Sequence, residues 1–151
     1  MTIDELKAIA KEIWEEMLNK GNFDRLYDLF DKDYVYHGFG GHEVRGPDDF
    51  KQFVIKIREN MPDLHFAIED LIAESDKVVS WYTMRGTPKA VGKQVTLEGA
   101  LLSRIADGKA VEDREITDRL SMAQQGAKGW FQKRMINGIV KQLDKGMGLA
   151  E

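Results

Sequence analysis

The sequence predicts an α+β domain in which helices cover one face of a curved antiparallel sheet. Helix-period apolar patterns occupy residues 2 to 62, and from residue 64 the pattern changes to long strands that follow one another through short turns. Asp107-Gly108, between the last two of those strands, is a strong hairpin signal.

Residues 2–19 read as the first helix, with Ile3, Leu6, Ile9, Ala10, Ile13, Trp14, Met17 and Leu18 at three- and four-residue spacing. Thr2 and Glu5 match a capping box, and Asn19-Lys20-Gly21 supplies the stop. Asn22 caps a shorter helix through Phe30, and Tyr34 to His37 reads as a short strand rich in aromatic and β-branched residues. The glycine-rich loop from Gly38 to His42 lacks the Gly-Lys-Ser/Thr ending of a phosphate loop and the spacing of a dinucleotide loop. Gly46-Pro47-Asp48-Asp49 opens a third helix, with proline and acids in the first turn, and Pro62 ends it. Strands follow over 64–72, 77–87 and 93–105, then a polar strand from Lys109 to Asp118. A turn of helix runs to Gln125, glycines stand at 126 and 129, and an amphipathic helix spans Trp130 to Leu143.

At 151 residues, with 42% hydrophobic and 32% charged side chains, the chain fits one domain able to bury a core unaided. The formal charge of -4, with no basic run or basic helix face apparent, argues against nucleic acid as a partner. The absence of cysteine excludes disulfides, thiolate zinc sites and cysteine nucleophiles. His37, His42 and His65 are too dispersed for a metal centre, so neither metal nor cofactor is expected. The first residues carry no signal-peptide pattern and no membrane-length apolar run, so a cytoplasmic protein without a membrane partner is the expectation.

Candidate chemistry concentrates in KAVEDREITD, residues 109–118. Strand periodicity puts Glu112, Arg114, Ile116 and Asp118 on one face, which is either a solvated surface or the wall of a pocket. Asp118 has two compatible roles, N-cap of the following turn or acid/base, and Arg114 on the same face could hold it ionised. Register stays open: a two-residue Asp107-Gly108 loop sets Arg114 on the face of Leu101 and Gly99, and a three-residue loop reverses that parity. Trp81 and Tyr82 point to opposite faces, so only one of them can line a pocket. Arg85 shares the face of Trp81, and Phe39 and Phe53 are candidate cavity walls, with ordinary core packing as the competing role.

The runs GPDDFKQFVIKIRENMPDLHFAIEDLIAESDKVVSWYTMRGT and GKQVTLEGALLSRIADGKAVEDREITDRLSMAQQ resemble the SnoaL-like polyketide cyclases of the nuclear-transport-factor-two-like superfamily. The likeness covers roughly residues 5 to 126. It implies a cone, with a bent sheet wrapped around helices over a deep apolar pocket, and a homodimer formed through the outer sheet face. It divides the chain into a family region, 1–126, and a helical extension, 127–151, within the same domain. It also implies cofactor-independent acid–base chemistry of cyclase or isomerase type on a small hydrophobic carbonyl compound. Asp118 would be the acid/base and His37 a relay or orienting group, with Arg114, Trp81, Arg85, Phe39, Phe53 and Ile116 around the substrate.

The chain departs from the family pattern in four places. Arg114 replaces a tryptophan, the loop TPKAVGKQV is short and lacks its histidine, Gln125-Gly126 replaces Gln-Leu-Gly, and the helix from Trp130 is additional. These departures support an alternative, a non-catalytic ligand-binding or dimerisation module of the same fold. A further alternative, epoxide-hydrolase-like hydrolysis, would require two acids and an arginine to grip a water together.

Overall fold

The computed structural model describes residues 1–38 and 41–147, the side chain of Arg119 apart. Helix α1 (Ile3–Glu12) starts at the predicted capping box, with the Glu5 amide donating to Thr2 and the Thr2 amide to the Glu5 carboxylate. It continues as a π-helical segment, Ile13–Asn19, that buries Trp14 and Met17. Asn19 ends it and fixes it to the sheet: its side-chain amide donates to the Phe66 carbonyl (2.9 Å) and accepts from the Phe66 amide (2.8 Å). Helix α2 is one turn, Leu26–Leu29, and strand β1 starts at Phe30 rather than Tyr34, running to His37. Strand β2 (Glu43–Arg45) was not legible in the sequence, whereas α3 (Pro47–Asn60) begins and ends where proline and glycine predict.

Strands β3 (His65–Glu74), β4 (Lys77–Gly86), β5 (Val95–Ala106) and β6 (Lys109–Thr117) form the predicted antiparallel meander. The sheet order is β2-β1-β6-β5-β4-β3, in which β1 joins β6 in parallel and β2 pairs antiparallel outside β1. Six strands curve without closing around α1, the π-helical segment and α3. Two apolar clusters fill the enclosed space. Leu6, Ala10, Leu71, Val78 and Ile105 form the smaller one, under the first turns of α1. The larger one is aromatic and joins Trp14, Phe30, Tyr34, Tyr36, Phe50 and Tyr82.

The β5–β6 hairpin decides which residues enter that space. Its loop has two residues, Asp107 and Gly108, both at positive φ (50° and 80°), and Ala106 pairs with Lys109. A β-bulge follows at once: Ile105 pairs with Ala110 but Arg104 with Glu112, which leaves Val111 as the extra residue. The bulge reverses the parity that the short loop alone would set. Arg114 therefore stands opposite Leu102 on the outer face, and Glu115 takes the place opposite Leu101 on the inner one.

Beyond β6, α4 (Arg119–Gly126) lies against the end of β5, held by Gln125, whose side chain accepts from the Thr96 amide (2.8 Å) and donates to the Thr96 carbonyl (2.6 Å). Helix α5 (Gly129–Gly146) touches α4 and buries none of its residues. No helix among the described residues is long and apolar enough to cross a membrane.

Candidate functional site: a carboxylate under two tyrosines

The open end of the cone holds a cavity of about 360 Å³, within the range of small-molecule sites. Its walls are apolar, from Ile13, Trp14 and Leu18 on the first helix, Phe50, Phe53, Val54 and Ile57 on α3, and Phe66, Met84, Leu97 and Leu101 on the sheet. Met122 of α4 adds to the wall, and exposed Lys56 and Asn60 of α3 mark its rim. Helix α5 contributes no residue to the lining, so the added helix does not plug the cone.

Polar groups enter from the inner face of β6 as Asp113, Glu115 and Thr117, with Tyr36 of β1 and Tyr82 of β4 beside them. The Tyr36 hydroxyl donates to Glu115 Oε2 and the Tyr82 hydroxyl to Glu115 Oε1, from opposite sides of the carboxylate. Burial, and next the negative charge of Glu115, push both phenols far above their ordinary value of 10, so they remain protonated donors. Packing fixes the rings. Tyr36 lies 5.3 Å from Phe53, centroid to centroid, and Tyr82 lies 4.8 Å from Trp14 and edge-on to Phe66 at 5.5 Å.

Two glycines make room for the rings. A Cβ at Gly99, inside β5, would stand 2.5 Å from Tyr82 Cζ and 2.9 Å from the Thr117 methyl; one at Gly38 would stand 2.8 Å from Tyr36 Cζ. A glycine inside a strand costs packing and backbone entropy, and here it lets an aromatic ring cross over the backbone to reach the carboxylate.

Asp113 lies deeper, 2% exposed. The buried Tyr34 hydroxyl donates to its Oδ2 (2.7 Å), while Oδ1 has no hydrogen-bond partner among the described residues. Burial pushes this carboxyl up from 3.8 to about 6, against the pull of the Ser103 and Tyr34 hydroxyls toward the anion and with a further push from Glu115 and Glu112.

Of the residues expected from the sequence, the described ones fall elsewhere, with one exception. Asp118 is exposed and does not line the cavity; its Oδ1 accepts from the Ser121 amide (2.9 Å), which makes it the N-cap of α4. Arg114 lies on the outer face, paired with Glu112 (2.6 Å). His37 stands at the outer side of the sheet between Glu43 (3.4 Å) and Glu112 (3.1 Å), away from the cavity lining. Trp81, Arg85 and Ile116 are exposed on that same outer face, Ile116 at 78%. Phe53 does line the cavity, and Phe39 lies outside the described residues. Of the pair Trp81 and Tyr82, the inward member is Tyr82.

Sequence reading therefore missed Tyr36, Asp113, Glu115 and Thr117, and left Tyr82 as the alternative to Trp81. The available signals were the alternation Asp113-Glu115-Thr117, equal in period to the set chosen, and the unexplained mid-strand Gly99.

The family profile for SnoaL-like polyketide cyclases matches residues 8–126. A search of curated proteins found no match. Among solved structures, a Jannaschia sp. CCS1 protein assigned to the SnoaL-like polyketide cyclases is 20% identical, with a TM-score of 0.77 over 85% of this chain and 97% of that one. A SnoaL-like polyketide cyclase from Agrobacterium tumefaciens C58 is 18% identical, with a TM-score of 0.71 over 84% and 100%. TsrD from Streptomyces laurentii is 17% identical, with a TM-score of 0.74 over 84% and 98%. At these identities the structural likeness speaks for the fold alone, and it agrees with a profile match that spans both the helices over the cavity and the strand that supplies its carboxylates. On that match, the chain belongs to the SnoaL-like polyketide cyclase family.

Proposed function

We propose that the protein carries out cofactor-independent acid–base chemistry, of cyclase or isomerase type, on a small hydrophobic carbonyl compound held in the cavity. The observation that carries this reading is one carboxylate, Glu115, set among apolar walls with two tyrosine hydroxyls aimed at it. An apolar wall binds the body of the substrate and excludes water, which strengthens every polar contact at the floor. Glu115 removes a proton alpha to a carbonyl, and a tyrosine hydroxyl turns from Glu115 to the enolate oxygen where charge develops. In ring closure the enolate carbon bonds to a second carbonyl carbon of the same molecule. The proton held by Glu115 then passes to the new alkoxide, so no atom is gained or lost. Asp113, ~7 Å along the same face by strand geometry, is the second proton carrier of the floor.

The role proposed for Asp118 from the sequence passes to Glu115, because Asp118 caps a helix in solvent. Epoxide hydrolysis lacks support: Arg114 belongs to the outer face, and no arginine among the described residues lines the cavity. Two copies would pair through the outer sheet face, where Trp81, Ala100 and Ile116 form one cross-strand row with two large apolar members exposed.

The test is proton exchange from apolar 1,3-diketones in D2O, followed by 1H NMR. Wild type and Asp118→Asn should accelerate exchange of the alpha protons above its rate in buffer alone, and Glu115→Gln should not. Diketone binding that shifts cavity resonances without Glu115-dependent exchange would replace this reading with the non-catalytic binding module.

A further inference from the structure

Charge is distributed unevenly along the cavity. Its floor carries Asp113 and Glu115, while the one cation among the described lining residues, Lys56, stands at the rim. Helix α3 sets this polarity. Phe53, Lys56, Ile57 and Asn60 follow one another at helical spacing, so they share the stripe that faces the cavity. Phe53 belongs to the floor, 5.3 Å from the Tyr36 ring whose hydroxyl donates to Glu115. Asn60 lies two turns further along the helix, which puts the rim ~10 Å from that level.

Lys56 is also the cation of α3 that the fold leaves without a partner among the described residues. Lys51 holds its amine over the Phe23 ring (5.5 Å), and the Arg58 guanidinium donates to the Leu18 carbonyl (2.7 Å). Of the acids in the shallow groove on the other side of Lys56, Glu43 is taken by Arg45 (2.6 Å), and Asp49 lies two turns back along the helix. A lysine rests its stem on an apolar wall and keeps its amine in water, so Lys56 gives the mouth of the cavity a charge without a counterion. We infer that the substrate bears a carboxylate at the end remote from its reacting carbonyls, and that Lys56 selects it. One cation with the Asn60 amide nearby matches a monoanion. The polarity also sets the direction of entry. Carboxylate-first binding would press the anion against Glu115 between apolar walls. Carbonyl-first binding leaves the anion on Lys56 at the wet mouth and brings the alpha carbon to Glu115. The inference rests on the cavity being the substrate site, and it narrows the substrate from a hydrophobic carbonyl compound to a hydrophobic keto acid.

The experiment compares a 1,3-diketone on a heptamethylene chain ending in a carboxylate with its methyl ester. Binding of each to the full chain is read from NMR shifts of cavity residues, in wild type, Lys56→Met and Lys56→Glu. The ratio of acid to ester affinity should fall roughly fivefold in Lys56→Met, the loss expected of one ion pair at a wet site. It should fall further in Lys56→Glu, while affinity for the ester holds in both variants. Added salt should lower the ratio in wild type more than in Lys56→Met. A ratio that both variants leave unchanged, or an acid that does not bind wild type, would overturn the proposal. Alpha-proton exchange in the same samples keeps the two readings apart: a Lys56-dependent preference without Glu115-dependent exchange would uphold the carboxylate site and remove the proposed chemistry.

Discussion

Replacing Asp113 by Asn removes a carboxyl that is costly to bury and leaves an amide of the same shape under the Tyr34 hydroxyl. The sign follows from proton binding. Folding raises this carboxyl from 3.8 to about 6, so between those values the folded state holds a proton that the unfolded state has lost. Stability from this group is therefore fully present below about pH 4 and is lost as pH rises through about 6. At about 1.4 kcal/mol per unit, the cost in wild type is ~1 kcal/mol at pH 4.5 and ~3 kcal/mol at pH 7. The amide carries no such cost. The stability difference, Asp113→Asn minus wild type, should become more favourable to the variant by ~2 kcal/mol between the two pH values, or about 4–8 °C in midpoint for a chain of this size. Urea denaturation of both proteins at pH 4.5 and 7 measures it, and subtraction cancels every other titrating group. A difference that stays constant over that range, or moves the opposite way, would refute the assignment of Asp113 as a buried carboxyl neutralised by desolvation.

Other substitutions test the remaining parts of the site. Gly99→Ala forces the Tyr82 ring off its place, since the added Cβ would stand 2.5 Å from Cζ; loss of a hydrogen bond to a charged group, about 1.5–3 kcal/mol, should lower Glu115-dependent diketone exchange by roughly 10- to 100-fold, and an unchanged rate would show that Tyr82 does not act on Glu115. Asp118→Ala should cost about 1 kcal/mol of stability through the lost cap of α4 and leave exchange intact; a collapse of exchange with the fold preserved would return the catalytic role to Asp118. Ile116→Lys, on the outer face, should convert a dimer to monomer in sedimentation without changing the cavity chemistry, and a chain already monomeric would remove the sheet-paired dimer.

The architecture was legible because each element carries its own signal: the capping box at Thr2, Pro47 in the first turn of α3, the strand period after residue 64, the hairpin at Asp107-Gly108. What was not legible depends on pairing between distant segments. The parallel joining of β1 to β6 leaves no local mark, yet it brings Tyr34 to Asp113 and Tyr36 to Glu115, each across 79 positions of sequence. Strand β2 is three residues long and too short to show a period.

The site itself turned on a single residue. GKAVEDREITD offers two alternating sets, Glu112-Arg114-Ile116-Asp118 and Asp113-Glu115-Thr117, and periodicity separates them without saying which faces inward. Of the two loop lengths left open, the two-residue one is present, and by itself it would have placed Arg114 opposite Leu101. One unpaired residue, Val111, slides the register and exchanges the faces. The outer set then forms what exposed charges on a sheet usually form, ion pairs around Glu112, and the inner set supplies the cavity with its carboxylates. Gly99 was the one local clue to this outcome. A strand spends packing on a mid-strand glycine only where another group must come close, and the group that comes close here is the tyrosine that donates to Glu115.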